Sequence, residues 1–187
     1  MSKKLTRKEK IAQQQQSAQP SKRQQAAELQ QQQRSRNWAG LIVAIVAFLV
    51  YANTFQHGWA LDDWGVIPDN KLTKRGISAI PEIMSTTYRT GMDVSDHTLY
   101  RPLSKATFAI EWSISPDNPS LGHIDNVILY ALTCFLLFRV LLLCFPRSLF
   151  IPFAIALLYA VHPLHTEVIA NVKSRDEILS MLFFLLT

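Results

Sequence analysis

A chain of 187 residues with net charge +5 and 49% hydrophobic residues averages two regions with little in common, a very polar head and a very apolar remainder. Its two cysteines, Cys134 and Cys144, fall in one apolar run and would stand about 15 Å apart along a helix, which excludes a disulfide framework. The positive balance belongs to the head, where no aromatic residues are interleaved to stack on bases, so the expected partner is a membrane and not nucleic acid.

Met1 to Arg36 carries nine Lys or Arg against two Glu, with glutamine runs at Gln13 to Gln16 and Gln30 to Gln33. So few apolar residues cannot build a core. The segment is expected to be a disordered cytoplasmic tail, helical at most weakly from Ser21 to Gln33, where Ala, Glu, Leu and Gln favour helix. A charge-free run from about Trp38 to Phe55 follows, long enough to cross hydrocarbon, with Trp38 and Tyr51 near its ends where aromatic rings prefer the interface. No small-x-small cleavage site follows this run, so it is expected to stay as an anchor. Arg34 and Arg36 just before it place the N-terminus inside.

From Gln56 to about His123 the chain is polar and interrupted by prolines, an outer loop too long to be a mere connector. Ile77 to Tyr88 and Leu103 to Trp112 have the pattern of short helices, lying along the bilayer surface or packed together as a cap. A second span is predicted over 124–145, with Asp125 and Asn126 at its outer end and Arg139 near enough to the inner face to snorkel. Pro146-Arg147-Ser148 reads as a short inner link, 149–161 as a third apolar run, and 162–177 as a second outer stretch. The run 178–187 stops partway through what reads as a fourth span, so the chain is expected to be a truncated piece of a longer protein.

Counting crossings puts two polar clusters on one face. The first is Asp62-Asp63, adjacent carboxylates between Trp59 and Trp64; an interfacial setting raises a carboxylate's pKa and suits it as a general base, while a helix cap is the plainer reading. The second runs from His162 to Glu177. His162, His165 and Glu167 have a spacing that metal ligands can use, although a proline-started outer helix with hydrogen-bonded histidines is the plainer reading. Whether a divalent metal is required stays open. Lys173 and Arg175, with Arg101 in the long loop, are outer cations where few are expected; an anionic phosphate is one reason for them, pairing with Asp176 and Glu177 another.

The order of Tyr51-Ala-Asn53, Asp62-Asp63, Tyr100-Arg-Pro-Leu103, His123-x-x-Asn126-Val, Val161-His-Pro-Leu-His-Thr-Glu167 and Ser174-Arg-Asp-Glu177 resembles the start of a GT-C glycosyltransferase. It is most similar to the transmembrane and tetratricopeptide repeat-containing proteins, whose animal members are O-mannosyltransferases. The resemblance implies an all-α, multi-span integral membrane bundle in a bacterial inner membrane or the endoplasmic reticulum. It implies a polyprenyl- or dolichyl-phosphate sugar, mannose above others, as donor and a Ser/Thr hydroxyl of a polypeptide as acceptor. Asp62 and Asp63 correspond in position to the family's catalytic acidic pair, and Arg175, Arg101 and Lys173 are the candidates for the donor phosphate. Ser174-Arg175 departs from the Gly-Arg usual there. Further spans and a repeat domain are absent, so this chain alone is expected to be inactive. The rival reading is a non-catalytic membrane assembly or scaffold protein of the same fold.

Overall fold

The computed structural model describes residues 21–92 and 99–187. The tail expectation for Met1 to Gln19 lies outside these residues. The chain divides into two compact units, Met1–Ala39 and Gly40–Thr187. In the first, helix α1 begins at Lys22 and runs to Tyr51, so the stretch from Ser21 to Gln33, where at most weak helix is expected, is helical from Lys22 and continuous with the apolar run that follows. A reciprocal cap starts it: Ser21 Oγ accepts from Gln24 N at 3.3 Å and Gln24 Oε1 accepts from Ser21 N at 2.8 Å, a pairing that satisfies two backbone donors at once. Beyond the cap, Ala26-Ala27-Glu28-Leu29 and the glutamines carry high helix propensity.

In the second unit α1 buries Val43, Ala47 and Tyr51, a stripe at every fourth residue. A 3-10 turn, Ala52–Gln56, ends it. The long loop then folds as short α2 (Asp63–Val66), a 3-10 segment (Thr73–Ala79), short α3 (Ile80–Ile83) and the longer α4 (Pro102–Ile114). Pro102 is at the first turn of α4, where a missing N–H costs nothing. These pieces pack as a cap: Phe108 faces Val66, Ile67, Tyr88 and Val172, while Ala106 and Ala109 face Leu72, Ala79 and Ile83. Ile77 and Leu103 remain exposed. Gly91, at φ +90°, closes the turn behind Tyr88; a Cβ there would come within 2.5 Å of Asn70 Oδ1 and 2.8 Å of Leu72 N, which only glycine avoids.

Helix α5 (Pro119–Cys144) starts at Asn118, whose side chain accepts from Ser120 N at 3.1 Å. It is the hub of the unit, packing on the 52–56 turn, on α6 (Phe150–Ala160), on α7 (His165–Ala170) and on α8 (Arg175–Leu186). Ser148 Oγ accepts from Ile151 N at 3.2 Å to restart the chain into α6. Two helical stretches, Lys22–Gln56 and Pro119–Cys144, are long and apolar enough to cross a membrane, and Phe150–Ala160 is a shorter apolar helix. Leu132, Leu143, Leu158 and Phe184 are among the large side chains they and α8 leave exposed, which a lipid surface would cover. Both cysteines are free, Cys134 buried and Cys144 exposed.

Candidate active site

Asp63 is fully buried at the start of α2. Its Oδ1 accepts from Lys173 N at 2.7 Å, and its Oδ2 accepts from Ala60 N at 3.0 Å and Val172 N at 3.4 Å. One carboxylate thus ties the first acidic cluster to the second across 109 and 110 residues of sequence. Burial pushes its pKa up from the ordinary carboxylate value, and the three backbone donors oppose that rise. Asp62 points the other way. Its side chain is 72% exposed and meets Lys173 Nζ at 3.1 Å.

Asp62 and Lys173 line a cavity of about 430 Å³ together with Tyr88, Arg89, Met92 and Arg101. Arg101 also borders a second cavity of about 570 Å³, with Leu103, Glu177, Leu179 and Phe183. Its guanidinium pairs with Asp176 Oδ2 at 2.5 Å and lies over the Tyr88 ring, 5.6 Å from the centroid. The turn carrying Tyr88 is pinned from below by Lys105, which is 1% exposed. Lys105 Nζ donates to the carbonyls of Tyr88 at 3.0 Å and Thr90 at 2.5 Å. Burial pulls the Lys105 pKa down to about 8.

Arg175, expected among the phosphate-facing cations, is not on a surface. It is fully buried and spends its donors inside: Nε to Asn126 Oδ1 at 2.8 Å, Nη1 to Thr107 Oγ1 at 2.7 Å and to Glu111, Nη2 to the Gly122 carbonyl at 3.0 Å. Phe108 lies under it, its ring centroid 4.8 Å from the guanidinium carbon. Arg175 therefore locks α4, α5 and α8 together. The sequence reading missed its partners Glu111 and Thr107, and Lys105 with them. A signal was available, because Ser104, Phe108 and Glu111 recur on one face of α4 and a charge on such a face needs a buried partner.

Burial outweighs Arg175 and pushes the Glu111 pKa up to about 7. A folded-state pKa above the ordinary 4.5 means the folded chain holds the extra proton between those values. Stability is then highest below the unfolded pKa and falls as pH rises toward 7. Glu111→Gln is expected to flatten that part of the stability profile, read by thermal unfolding across the range; an unchanged slope would assign it to another group.

The histidine candidates lie elsewhere. His165 packs on Tyr159 and Tyr130, with centroids at 4.3 and 5.6 Å, and burial, with His162 adding, lowers its pKa. His162 accepts from Leu164 N through Nδ1 at 3.3 Å, and its carbonyl accepts from Tyr51 O–H at 3.2 Å. Glu167 is exposed. Among the described residues no three His, Cys, Asp or Glu side chains are placed to hold a metal ion, so His162, His165 and Glu167 form no such set. Asp176 and Glu177 open α8, where carboxylates complement the positive end of the helix.

The chain is 35% identical over 147 residues to protein O-mannosyl-transferase TMTC3 of Mus musculus, covering 78% of this chain and 16% of that protein. It is 31% identical over 150 residues to protein O-mannosyl-transferase TMTC1 of Homo sapiens, covering 79% and 17%. It is 30% identical over 169 residues to protein O-mannosyl-transferase TMTC4 of Homo sapiens, covering 80% and 22%. The chain is TMTC-like. It spans about a sixth to a fifth of the length of these curated relatives. No protein-family model and no solved structure matches it. Kinship with the TMTC proteins and two apolar helices of crossing length together mark a helical membrane protein.

Proposed function

We propose that this TMTC-like chain is part of a membrane glycosyltransferase. It moves a sugar, mannose by its kinship, from a polyprenyl-phosphate-linked donor to a Ser/Thr hydroxyl of a polypeptide on the outer face. The single observation that carries the reading is the meeting of Asp62 with Lys173 at a cavity also walled by Arg101. Asp62 is the base for the acceptor hydroxyl, since its carboxylate reaches the cavity and solvent. Asp63 is a positioning residue whose carboxylate holds residues 172 and 173 in place. Lys173 and Arg101 face the donor phosphate; Arg101 can supply a planar fork to its oxygens. Arg175 leaves this list because its guanidinium is occupied within the protein.

The chemistry is tested by incubating the purified full-length protein with polyprenyl-phosphate-linked mannose and a Ser/Thr-rich acceptor peptide. Mannosylated peptide is the expected product. Donor-independent background alone would return the chain to the scaffold reading.

Topology is tested separately. Single cysteines at Ser2, Ser78 and Thr166, in a background lacking Cys134 and Cys144, are probed in intact cells with an impermeant thiol reagent. Ser78 and Thr166, both exposed, are expected to label and Ser2 to stay protected, from the charge asymmetry about the first span. Labelling at Ser2 alone would invert the arrangement.

A further inference from the structure

Three cations, Arg89, Arg101 and Lys173, line the cavity of about 430 Å³ against one carboxylate, Asp62. Arg89 is half-buried, and the peptide groups on both sides of its Cα are tied down. Before it, the Tyr88 carbonyl accepts from Lys105 Nζ at 3.0 Å. After it, Thr90 N donates to the Thr87 carbonyl at 3.1 Å, and the Arg89 carbonyl accepts from Met92 N at 3.0 Å. Because peptide groups are planar, fixing both neighbours also fixes the direction in which the Arg89 side chain leaves the backbone.

Lys105 is unusual in its own right. It is 1% exposed, and its ammonium meets only main-chain oxygens, those of Tyr88 and Thr90; no carboxylate pairs with it among the described residues. A lysine is rarely buried so, because desolvating the ammonium costs free energy that a methionine of similar length would not lose. What the charge adds is its grip on this turn. The Thr90 carbonyl also accepts from Asn70 Nδ2 at 3.2 Å, so the bond for which no second donor stands ready among the described residues is the one to the Tyr88 carbonyl, immediately before Arg89.

We propose that Arg89 is a third cationic contact for the donor phosphate and that Lys105 is the positioning residue that aims it. This rests on the transferase reading. The phosphodiester of a polyprenyl-phosphate-linked sugar is anionic, and a lining richer in cations than in carboxylates suits it. Arg89 donates to a phosphate oxygen. Lys105 touches no ligand and acts through the backbone of residues 88–90.

Arg89→Met in the full-length protein is expected to weaken binding of polyprenyl-phosphate-linked mannose by roughly tenfold, the scale of one charge-assisted hydrogen bond. Arg89→Lys should recover part of that loss, and both variants should bind the uncharged polyprenol as wild type does. An Arg89→Met protein with wild-type donor affinity, or one weakened equally toward polyprenol, overturns the proposal. Lys105→Met is expected to give a loss of similar size, read as a raised donor KM with kcat nearly kept, and to add nothing further in the Arg89→Met background. Full additivity of the two losses would show that Lys105 acts on something else and would end its positioning role. Lys105→Gln, which keeps an amide donor without the buried charge, should show an intermediate loss; it carries the same cycle if Lys105→Met does not fold. Transfer is assayed in parallel. This binding pattern without transfer in any of the proteins keeps the Arg89 and Lys105 assignment and loses the transferase reading, whereas transfer with an indifferent Arg89→Met does the reverse.

Discussion

Asp62→Asn in the full-length protein is expected to lower turnover by roughly a hundredfold or more, the scale of losing general-base assistance. Expression and thermal midpoint should stay as they are. The geometry separates the two effects. Asp62 is largely exposed and its ion pair with Lys173 is at a surface, where such pairs contribute at most about 1 kcal/mol. An asparagine fills the same space and can still meet Lys173 through its carbonyl, but it cannot take a proton from a hydroxyl. Asp63→Asn differs in kind. Its carboxylate accepts three backbone N–H bonds through two oxygens, and an amide has one oxygen, so its NH2 must face a donor. Stability and activity should therefore fall together at Asp63, while only turnover falls at Asp62. Full activity in Asp62→Asn, with collapse in Asp63→Asn, would move the base to Asp63; full activity in both would leave the scaffold reading.

What could be read from the residues alone was the linear order of things. Apolar runs around 38–55, 124–145 and 149–161 are one-dimensional signals, and helices lie at each. The Asp62-Asp63 pair and the 162–177 stretch were also visible as chemistry out of place. The roles within them were not. Asp62 and Asp63 are neighbours in sequence, yet one is buried and the other exposed, because α2 begins between them and turns successive side chains to different sides. Arg175 looked like a surface cation because nothing near it in sequence is its partner; Thr107, Glu111, Gly122 and Asn126 lie 49 to 68 residues away. The helix from Lys22 was the reverse case, legible locally because Ala, Glu, Leu and Gln favour helix from Ser21 to Gln33 and Ser21 and Gln24 spell a capping box, while its unbroken run into the apolar stretch to Tyr51 was not.

Arg175→Ala follows from that burial. A cation reaching for a ligand would, on removal, weaken donor binding and leave the fold alone. A buried cation bonded to Glu111, Thr107, Asn126 and the Gly122 carbonyl has the opposite signature. Its loss strands the Glu111 carboxyl and several acceptors away from water, and each buried polar group left unpaired costs about 1–3 kcal/mol. The space is also hard to refill. A Cβ at Gly122 would already lie 2.6 Å from Val172 Cγ1, so α5 and the 172–174 turn are in close contact and cannot collapse much further. Thermal unfolding of the purified full-length variant in detergent is expected to show a midpoint lowered by several degrees or no folded protein at all. Arg175→Lys should recover part of the loss, because an ammonium can still meet Glu111 but lacks the planar fork that also reaches Asn126 and the Gly122 carbonyl. A well-folded Arg175→Ala protein with an unchanged midpoint and a selectively raised KM for the donor would return Arg175 to the phosphate site and require α8 to present it to the cavity.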